Sequence, residues 1–514
     1  MYNHWFFSRQ KRSLVQILPA LIAFNDTCVG KVWSGNAELQ LEFEDELARR
    51  SITQHGNLRS RRTENGGGGG RTLFKEMKDL GLIFTEEESR QCRLTLIAEE
   101  LVKGNISFVE AMRIQLKRYQ YPSAASWQGK GAISHDFKVH PFQFMFRLLM
   151  DPRLEGYITM DETQYIVIFD AMSDSNICFE NVVSKILAYR AAPSIPVGRE
   201  DDVHKTYWNI ANTLFNYISL TQYVDRPEKK LNIRHGKEEE ATEFVESNPR
   251  FILNPEYAEN YLRAYGRGNS ARDLRDFTRQ REQQNDILEA RINEEYVLLA
   301  LETPITGITS EIVSTVSMRT GIDERTVSHY LEQNHSHGNI DDFFINYKEL
   351  ANMGRVGATA FEAATCEMFR KVFGMRAEHV GQSGNTPTPD VIVYADDVDN
   401  EYCGIIDNKA YREGFTLTGN FKRVMKDEYI PNYKTYGNTN LPLAFFSYIS
   451  GSFGSRIDSQ LQDISSATGV PGSAMSVDIL IDFAQDYMHG EYNHGTVKRV
   501  FSTGHEVTLA DIGR

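Results

Sequence analysis

A chain of 514 residues, 41% hydrophobic and 25% charged, has the profile of a soluble globular protein and the length of roughly three domains. Its five cysteines (Cys28, Cys92, Cys178, Cys366, Cys403) are far apart and form no CxxC pair, which excludes a cysteine-rich zinc site and points to a reducing, cytoplasmic compartment. The net charge of −14 argues against a uniformly basic nucleic-acid coat, yet between Arg49 and Lys75 seven basic residues stand against a single acid, Glu64.

No apolar run is long enough to span a bilayer. Leu14–Phe24 follows Arg9, Lys11 and Arg12, but Gln16 and Pro19 interrupt it and no small-residue cleavage site follows, so a core helix is expected rather than a signal peptide. "GNAELQLEFEDELARR" (35–50) and "TLFKEMKDLGLIF" (72–84) carry apolar residues at helical spacing, and the second runs into a two-stranded wing. Helix, turn, helix, wing is the winged-helix order of many DNA readers. Between the two helices, residues 56–72 hold five consecutive glycines and the candidate DNA-contacting residues Arg59, Arg61, Arg62 and Arg71. This segment reads either as a flexible loop or as an arginine-rich loop that orders on a phosphate backbone. Lys117 and Arg118, beside Tyr119 and Tyr121, form a basic–aromatic stretch. It either meets phosphate or lends its aromatics to the core.

A second winged-helix-like unit runs from about 140 to 265, opening on "HPFQFMFRLLM" and closing on a wing-like "FILNPEY" (251–257). Residues 270–301 are very polar, with a capping box of Ser270 and Asp273, and predict a solvated connecting helix. Residues 310–331 have helix–turn–helix character with Gly321 at the turn, serving either DNA or a plain helical connector. "HSHG" (335–338) has no carboxylate or cysteine nearby and predicts a surface turn rather than a metal site. Beyond 350 the period changes. An amphipathic helix (358–373) precedes the β-rich runs "DVIVY", "YCGIID" and "LAFFSYIS", an α/β pattern.

In that region "IIDNKAY" (405–411) places Asp407 and Lys409 two apart at the end of an apolar strand, so both project from one face. Such a pair can be a simple ion pair. Upstream, Pro389 and Asp390 precede another strand, and a hairpin of 391–394 with 403–409 would set Asp390 beside Asp407. Two close carboxylates repel unless a cation separates them, and hard oxygen ligands suit Mg²⁺. Lys409 is then placed to orient water or stabilise charge on phosphorus, and Glu362 on the preceding helix can add a ligand or orient water. His379, close to the Pro389–Asp390 strand, lines the same site or simply packs.

The order PD, sixteen residues, DxK is the PD-(D/E)xK nuclease arrangement. With "FEAATCEMFRKVFGMRAEHVGQSGNTPTPDVIVY", "YCGIIDNKAYREGFTL", "LAFFSYISGSFG" and "MSVDIL", residues 350–490 closely resemble the cleavage domain of FokI-type type IIS restriction endonucleases. The N-terminal half, through "RIQLKRYQYPS", "HPFQFMFRLL" and "FILNPEY", is more loosely similar to AlwI-like and PleI/MlyI-like enzymes. The resemblance implies a multidomain protein. A mainly α-helical, winged-helix-like recognition region (1–135 and 136–268) and a helical linker (269–349) would precede an α/β PD-(D/E)xK nuclease domain (350–514). It further implies Asp390 and Asp407 as metal ligands, a catalytic Lys409, and a Glu362 of less settled role. Mg²⁺-dependent hydrolysis of double-stranded DNA at a fixed distance outside the recognition site would follow, leaving 5′-phosphates. Family nuclease domains pair transiently through a helix, here 418–430, in which Arg423 of one copy would meet Asp427 of the other, or a second subunit would take that place. The ordinary alternative is an i, i+4 pair within one helix. Rival readings are a nicking enzyme or the large subunit of a heterodimeric restriction enzyme, a DNA-binding regulator whose nuclease-like domain is inert, and a repair or transposition nuclease on the same core.

Overall fold

The structure is a computed structural model that describes residues 3–7, 14–50, 52, 68–127, 137–200, 205–247, 249–252, 258–268, 284–381, 388–397, 400–411, 414–490 and 492–514. The chain divides into two compact units, Met1–Val297 and Leu298–Arg514.

In the first unit the Leu14–Phe24 run becomes the helix Ile17–Cys28, whose Ile17, Leu18, Leu21, Ile22 and Phe24 are all buried. The helix Ala37–Arg49 starts where the Asn36 side chain accepts the Leu39 N–H, and it buries Leu39, Phe43 and Leu47 at four-residue spacing. After the helix Gly68–Asp79, strands β1 (Ile83–Thr85) and β2 (Cys92–Leu94) pair antiparallel, giving the two-stranded element expected there. Strands β3 (Tyr157–Thr159), β4 (Val224–Asp225) and β5 (Lys230–Ile233) form a small antiparallel sheet in the order β3-β5-β4. Part of the basic window is consumed internally, because the Arg50 guanidinium reaches Asp26, Glu46 and Glu294, each at 2.6 Å.

Two expectations change here. Phe251 and Ile252 lie in no strand: the Gln120 side-chain amide accepts the Ile252 N–H at 2.7 Å and donates to its carbonyl at 3.0 Å, standing in for a strand partner. Residues 253–257 lie outside the described residues. The helix Gln284–Glu302 is not solvated throughout, since Ile292, Tyr296, Val297, Leu299, Ala300 and Leu301 are buried and Asn293 Nδ2 donates to the Val102 carbonyl at 2.7 Å. Ser270 and Asp273 also fall outside the described residues.

In the second unit the helices Ser310–Thr320 and Glu324–Asn334 meet at Gly321, whose φ of +71° is the left-handed turn that residue supplies cheaply. "HSHG" does turn at the surface, with Ser336 and His337 exposed and the Gly338 N–H bonding the His335 carbonyl at 2.9 Å, but His335 itself is buried, and burial pushes its imidazole down to about 4. A five-stranded sheet follows, ordered β10-β9-β8-β7-β6. Its strands are β6 (Arg376–His379), β7 (Val391–Asp397), β8 (Asn400–Lys409), β9 (Leu443–Ser450) and β10 (Gly472–Ser476). The hairpin strands β6, β7 and β8 are antiparallel, while β8, β9 and β10 run parallel. The strand period of two sorts the "II" of β8 onto opposite faces. Ile406 packs with Phe361, Phe369 and Phe445, and Ile405 with Met425, Phe446 and Leu461. Among the described residues no helix is long and apolar enough to cross a membrane.

Candidate active site

The site lies where β7 begins and β8 ends. The register Val391↔Ile406 sets Asp390, one residue before β7, opposite Asp407, as the expected hairpin requires. Asp390 Oδ2 accepts the Asn408 N–H at 2.6 Å, which fixes the first carboxylate against the second strand. On the same face of β8 as Asp407, Lys409 Nζ lies 2.7 Å from Asp407 Oδ2, with side-chain exposures of 13% and 5%. Water screens this pair far less than a surface pair, and removing either partner would leave a buried charge.

The helix Ala358–Lys371 supplies the third acid. Glu362 Oε2 lies 3.0 Å from His379 Nε2, on β6. A Cβ on Gly381 would sit 3.2 Å from Glu362 Oε2 and 3.4 Å from Asp390 Oδ1, so both carboxylates border the space that this glycine leaves open. On the opposite face of β8, Asn408 Nδ2 donates to Thr365 Oγ1 at 2.6 Å, and Thr365 Oγ1 lies 2.7 Å from the Tyr347 hydroxyl. Thr365 is three residues from Glu362, so the same helix face is tied to the strand bearing Asp407 and Lys409.

Charge in the site is unbalanced. Burial, and then the Asp407 carboxylate, hold the Asp390 carboxyl well above the usual carboxylate range. Burial opposes the charge on Lys409, but Asp407 and Asp390 outweigh it and keep its ammonium above the ordinary lysine value. Two facing acids with one amine are short of positive charge. The donors present fit a hard divalent cation: two carboxylates, with no thiolate. Among the described residues no three His, Cys, Asp or Glu side chains gather around one cation position, so such an ion would take two protein carboxylates and fill its shell with other oxygens.

The raised Asp390 carboxyl has a pH consequence. Between the ordinary carboxylate value and the raised one, the folded chain keeps a proton that the unfolded chain releases, so stability falls as pH rises. In EDTA at pH 7.5, Asp390→Asn is expected to melt about 3 °C above the wild type. The gap should close as pH approaches about 4, and Mg²⁺ should raise the melting temperature of the wild type alone. Thermal unfolding with and without EDTA checks this; equal melting of the two proteins at pH 7.5 would contradict it.

The other candidates are placed unevenly. Arg59, Arg61 and Arg62 lie outside the described residues. Arg71 is exposed on the helix Gly68–Asp79. Lys117 and Arg118 end the helix Phe108–Arg118, with Lys117 Nζ 5.8 Å from the Phe244 ring and Arg118 Nη1 donating to the Gly268 carbonyl at 2.6 Å. Tyr119 and Tyr121 are core residues, their hydroxyls donating to Asp79 Oδ1 at 3.1 Å and to the His4 carbonyl at 3.0 Å, so the aromatic half of that stretch cannot face DNA.

The expected helix over 418–430 is also altered. The helix Gly419–Val424 passes into a π turn, Met425–Tyr429, where the Ile430 N–H bonds the Met425 carbonyl. That spacing brings residues five apart together. Arg423 Nη1 therefore bonds Glu428 Oε1 at 2.6 Å, whereas Asp427 Oδ1 lies 3.4 Å from Lys426 Nζ. The ordinary i, i+4 pair of Arg423 with Asp427 does not form. Sequence reasoning missed Gly381, Thr365 and Asn408. The spacing of Thr365 from Glu362 on one helix was the available signal for the second.

Comparison with known proteins places the site in a family context. Residues 321–508 match the family model of the FokI cleavage domain, and residues 106–236 that of the N-terminal domain of the type II restriction endonuclease HgaI. The type II restriction enzyme StsI of Streptococcus sanguinis is 30% identical over 175 residues, covering 31% of this chain and 28% of that enzyme. The type II restriction enzyme FokI of Planomicrobium okeanokoites is 26% identical over 155 residues, covering 28% of this chain and 26% of that enzyme. The chain thus spans about a quarter of the length of these curated relatives. A solved structure of FokI aligns at 11% identity and a TM-score of 0.31, over 98% of this chain and 100% of that one. The match over residues 321–508 falls on the segment whose motif order resembles that cleavage domain and holds Asp390, Asp407 and Lys409.

Proposed function

We propose that this chain is a type IIS restriction endonuclease that hydrolyses double-stranded DNA at a fixed distance outside its recognition site. The observation that carries this reading is the cluster of Asp390, Asp407 and Lys409 at the β7–β8 end, within the segment matched to the FokI cleavage domain. Asp390 and Asp407 would hold Mg²⁺. When bound, that ion supplies charge neutralisation at the phosphate and makes water more acidic. Lys409 presents its ammonium to a non-bridging phosphate oxygen, stabilising the negative charge that builds there. Glu362, steadied by His379, orients the attacking water and accepts its proton. Water oxygen forms the new bond to phosphorus as the bond to the 3′ oxygen breaks in line; the departing 3′ oxygen takes a proton from solvent water, leaving a 3′ hydroxyl and a 5′ phosphate.

Recognition is assigned to residues 1–135 and 136–268, each winged-helix-like, with 269–349 as connector. The hairpin β1–β2 behind the helix Gly68–Asp79 supports the first wing. Arg59, Arg61, Arg62, Arg71, Lys117 and Arg118 are the proposed DNA contacts. Arg423 and Asp427, both about half exposed, remain the proposed pairing surface toward a second copy or subunit, with Arg423 leaving Glu428 to bond across.

A supercoiled plasmid known to carry one site tests the reading. With Mg²⁺ the expected product is linear DNA, appearing faster than in proportion to protein concentration. Accumulation of the nicked circle alone would assign a nicking enzyme or one subunit of a heterodimer. Tight binding to the plasmid with no cut in either strand would assign an inert, regulatory protein.

A further inference from the structure

Lys409 Nζ has a second neighbour besides Asp407: the Phe421 ring, whose centroid is 5.2 Å away. Phe421 lies on the helix Gly419–Val424, the element that also bears Arg423. We propose that Phe421 is a positioning residue, an aromatic wall that aims the Lys409 ammonium at the scissile phosphate; this rests on the nuclease reading above.

A lysine ammonium sits on a four-carbon stem and has no preferred direction of its own. One ion pair fixes its distance from Asp407 but leaves it free to swing about that contact. The face of an aromatic ring within about 6 Å attracts a cation, and more strongly where water is scarce. Lys409 is only 13% exposed in its side chain, so the ring acts where its attraction is least screened. Phe421 is itself well held. Thr418 Oγ1 accepts its N–H at 3.4 Å, the Tyr448 hydroxyl donates to its carbonyl at 3.5 Å, and Phe415 meets its ring edge-on at 5.4 Å between centroids. Tyr448 is the β9 residue paired with Asp407, so the strand beside the acid also holds the helix that carries the wall. The hold on the ammonium comes from a neutral ring, so it does not depend on what else Asp407 engages.

The role is separable from plain packing, because leucine fills similar space without a π face. In the full-length protein, Phe421→Leu is expected to slow single-turnover cleavage of a wild-type-cut plasmid about tenfold, with affinity for the same DNA in EDTA unchanged. Phe421→Tyr and Phe421→Trp should return the rate to within about threefold. A second readout needs no cleavage. In protein labelled at lysine ε-carbon, the Lys409 signal, identified by its loss in Lys409→Arg, should lie upfield through the ring current and return toward the bulk lysine position in Phe421→Leu. Leucine at the wild-type rate, tyrosine and tryptophan as slow as leucine, or a Lys409 signal unmoved by Phe421→Leu would each overturn the role. A wild-type protein that leaves DNA intact would instead sink the nuclease reading and the role with it, while the signal still reports whether the contact exists.

Discussion

Replacing Asp407 or Asp390 with alanine is expected to lower Mg²⁺-dependent cleavage by roughly a thousandfold or more while leaving DNA binding in EDTA within about threefold of the wild type. The two acids face each other across the β7–β8 register, with one amine between them for two carboxylates. Asp390 has one oxygen on the Asn408 N–H, and Asp407 has one on Lys409. Without either carboxylate a divalent ion loses half of its protein ligands. Lys409 also loses its nearest counter-charge in Asp407→Ala. That variant should therefore melt lower than the wild type, whereas Asp390→Ala relieves a repulsion and should not. Single-turnover cleavage with gel-shift binding checks the pair. Either variant cutting within tenfold of the wild-type rate would remove the acids from the chemistry.

Lys409→Met should be as damaging in a different way. Methionine replaces the stem but not the ammonium, and Asp407, 5% exposed in its side chain, is left as a buried carboxylate without its ion-pair partner. Breaking such a pair on one side costs about 3–5 kcal/mol, and cleavage should fall by roughly a hundredfold or more. Adding Asp407→Asn removes the orphaned charge. The double variant should regain most of the stability in EDTA but none of the activity, a split that packing loss cannot produce. Urea unfolding of the single and double variants checks it; equal stability of the two would mean that Asp407 does not depend on Lys409 for its charge.

What could be read from the residues alone follows from how local the cause is. The Asp407–Lys409 face needed only the strand period of two, and Asp390 opposite Asp407 needed only a short hairpin, so both were legible. The helix Ile17–Cys28 was legible because its apolar run is nearly unbroken. The alternative of an i, i+4 pair between Arg423 and Asp427 within one helix failed for a cause four residues of spacing cannot reveal: one π turn changes the neighbour to Glu428. The burial of Ile292, Tyr296 and Val297 was hidden by the polar residues around them, since few apolar anchors suffice when they fall on one face. Tyr119 and Tyr121 beside Lys117 and Arg118 suggested DNA, but their hydroxyls have partners in the interior. Gly381 and Phe421 matter through space rather than sequence, and nothing local marks them.

The central claim is that the Asp390–Asp407–Lys409 cluster cuts DNA at positions set elsewhere on the chain. Digesting a fully sequenced genomic DNA with the wild-type protein and Mg²⁺, then mapping every new end, tests it most directly. The account predicts 5′-phosphorylated ends at one constant offset from a single shared sequence. Ends scattered without a common neighbouring sequence, or DNA left whole by protein that binds it, would contradict it.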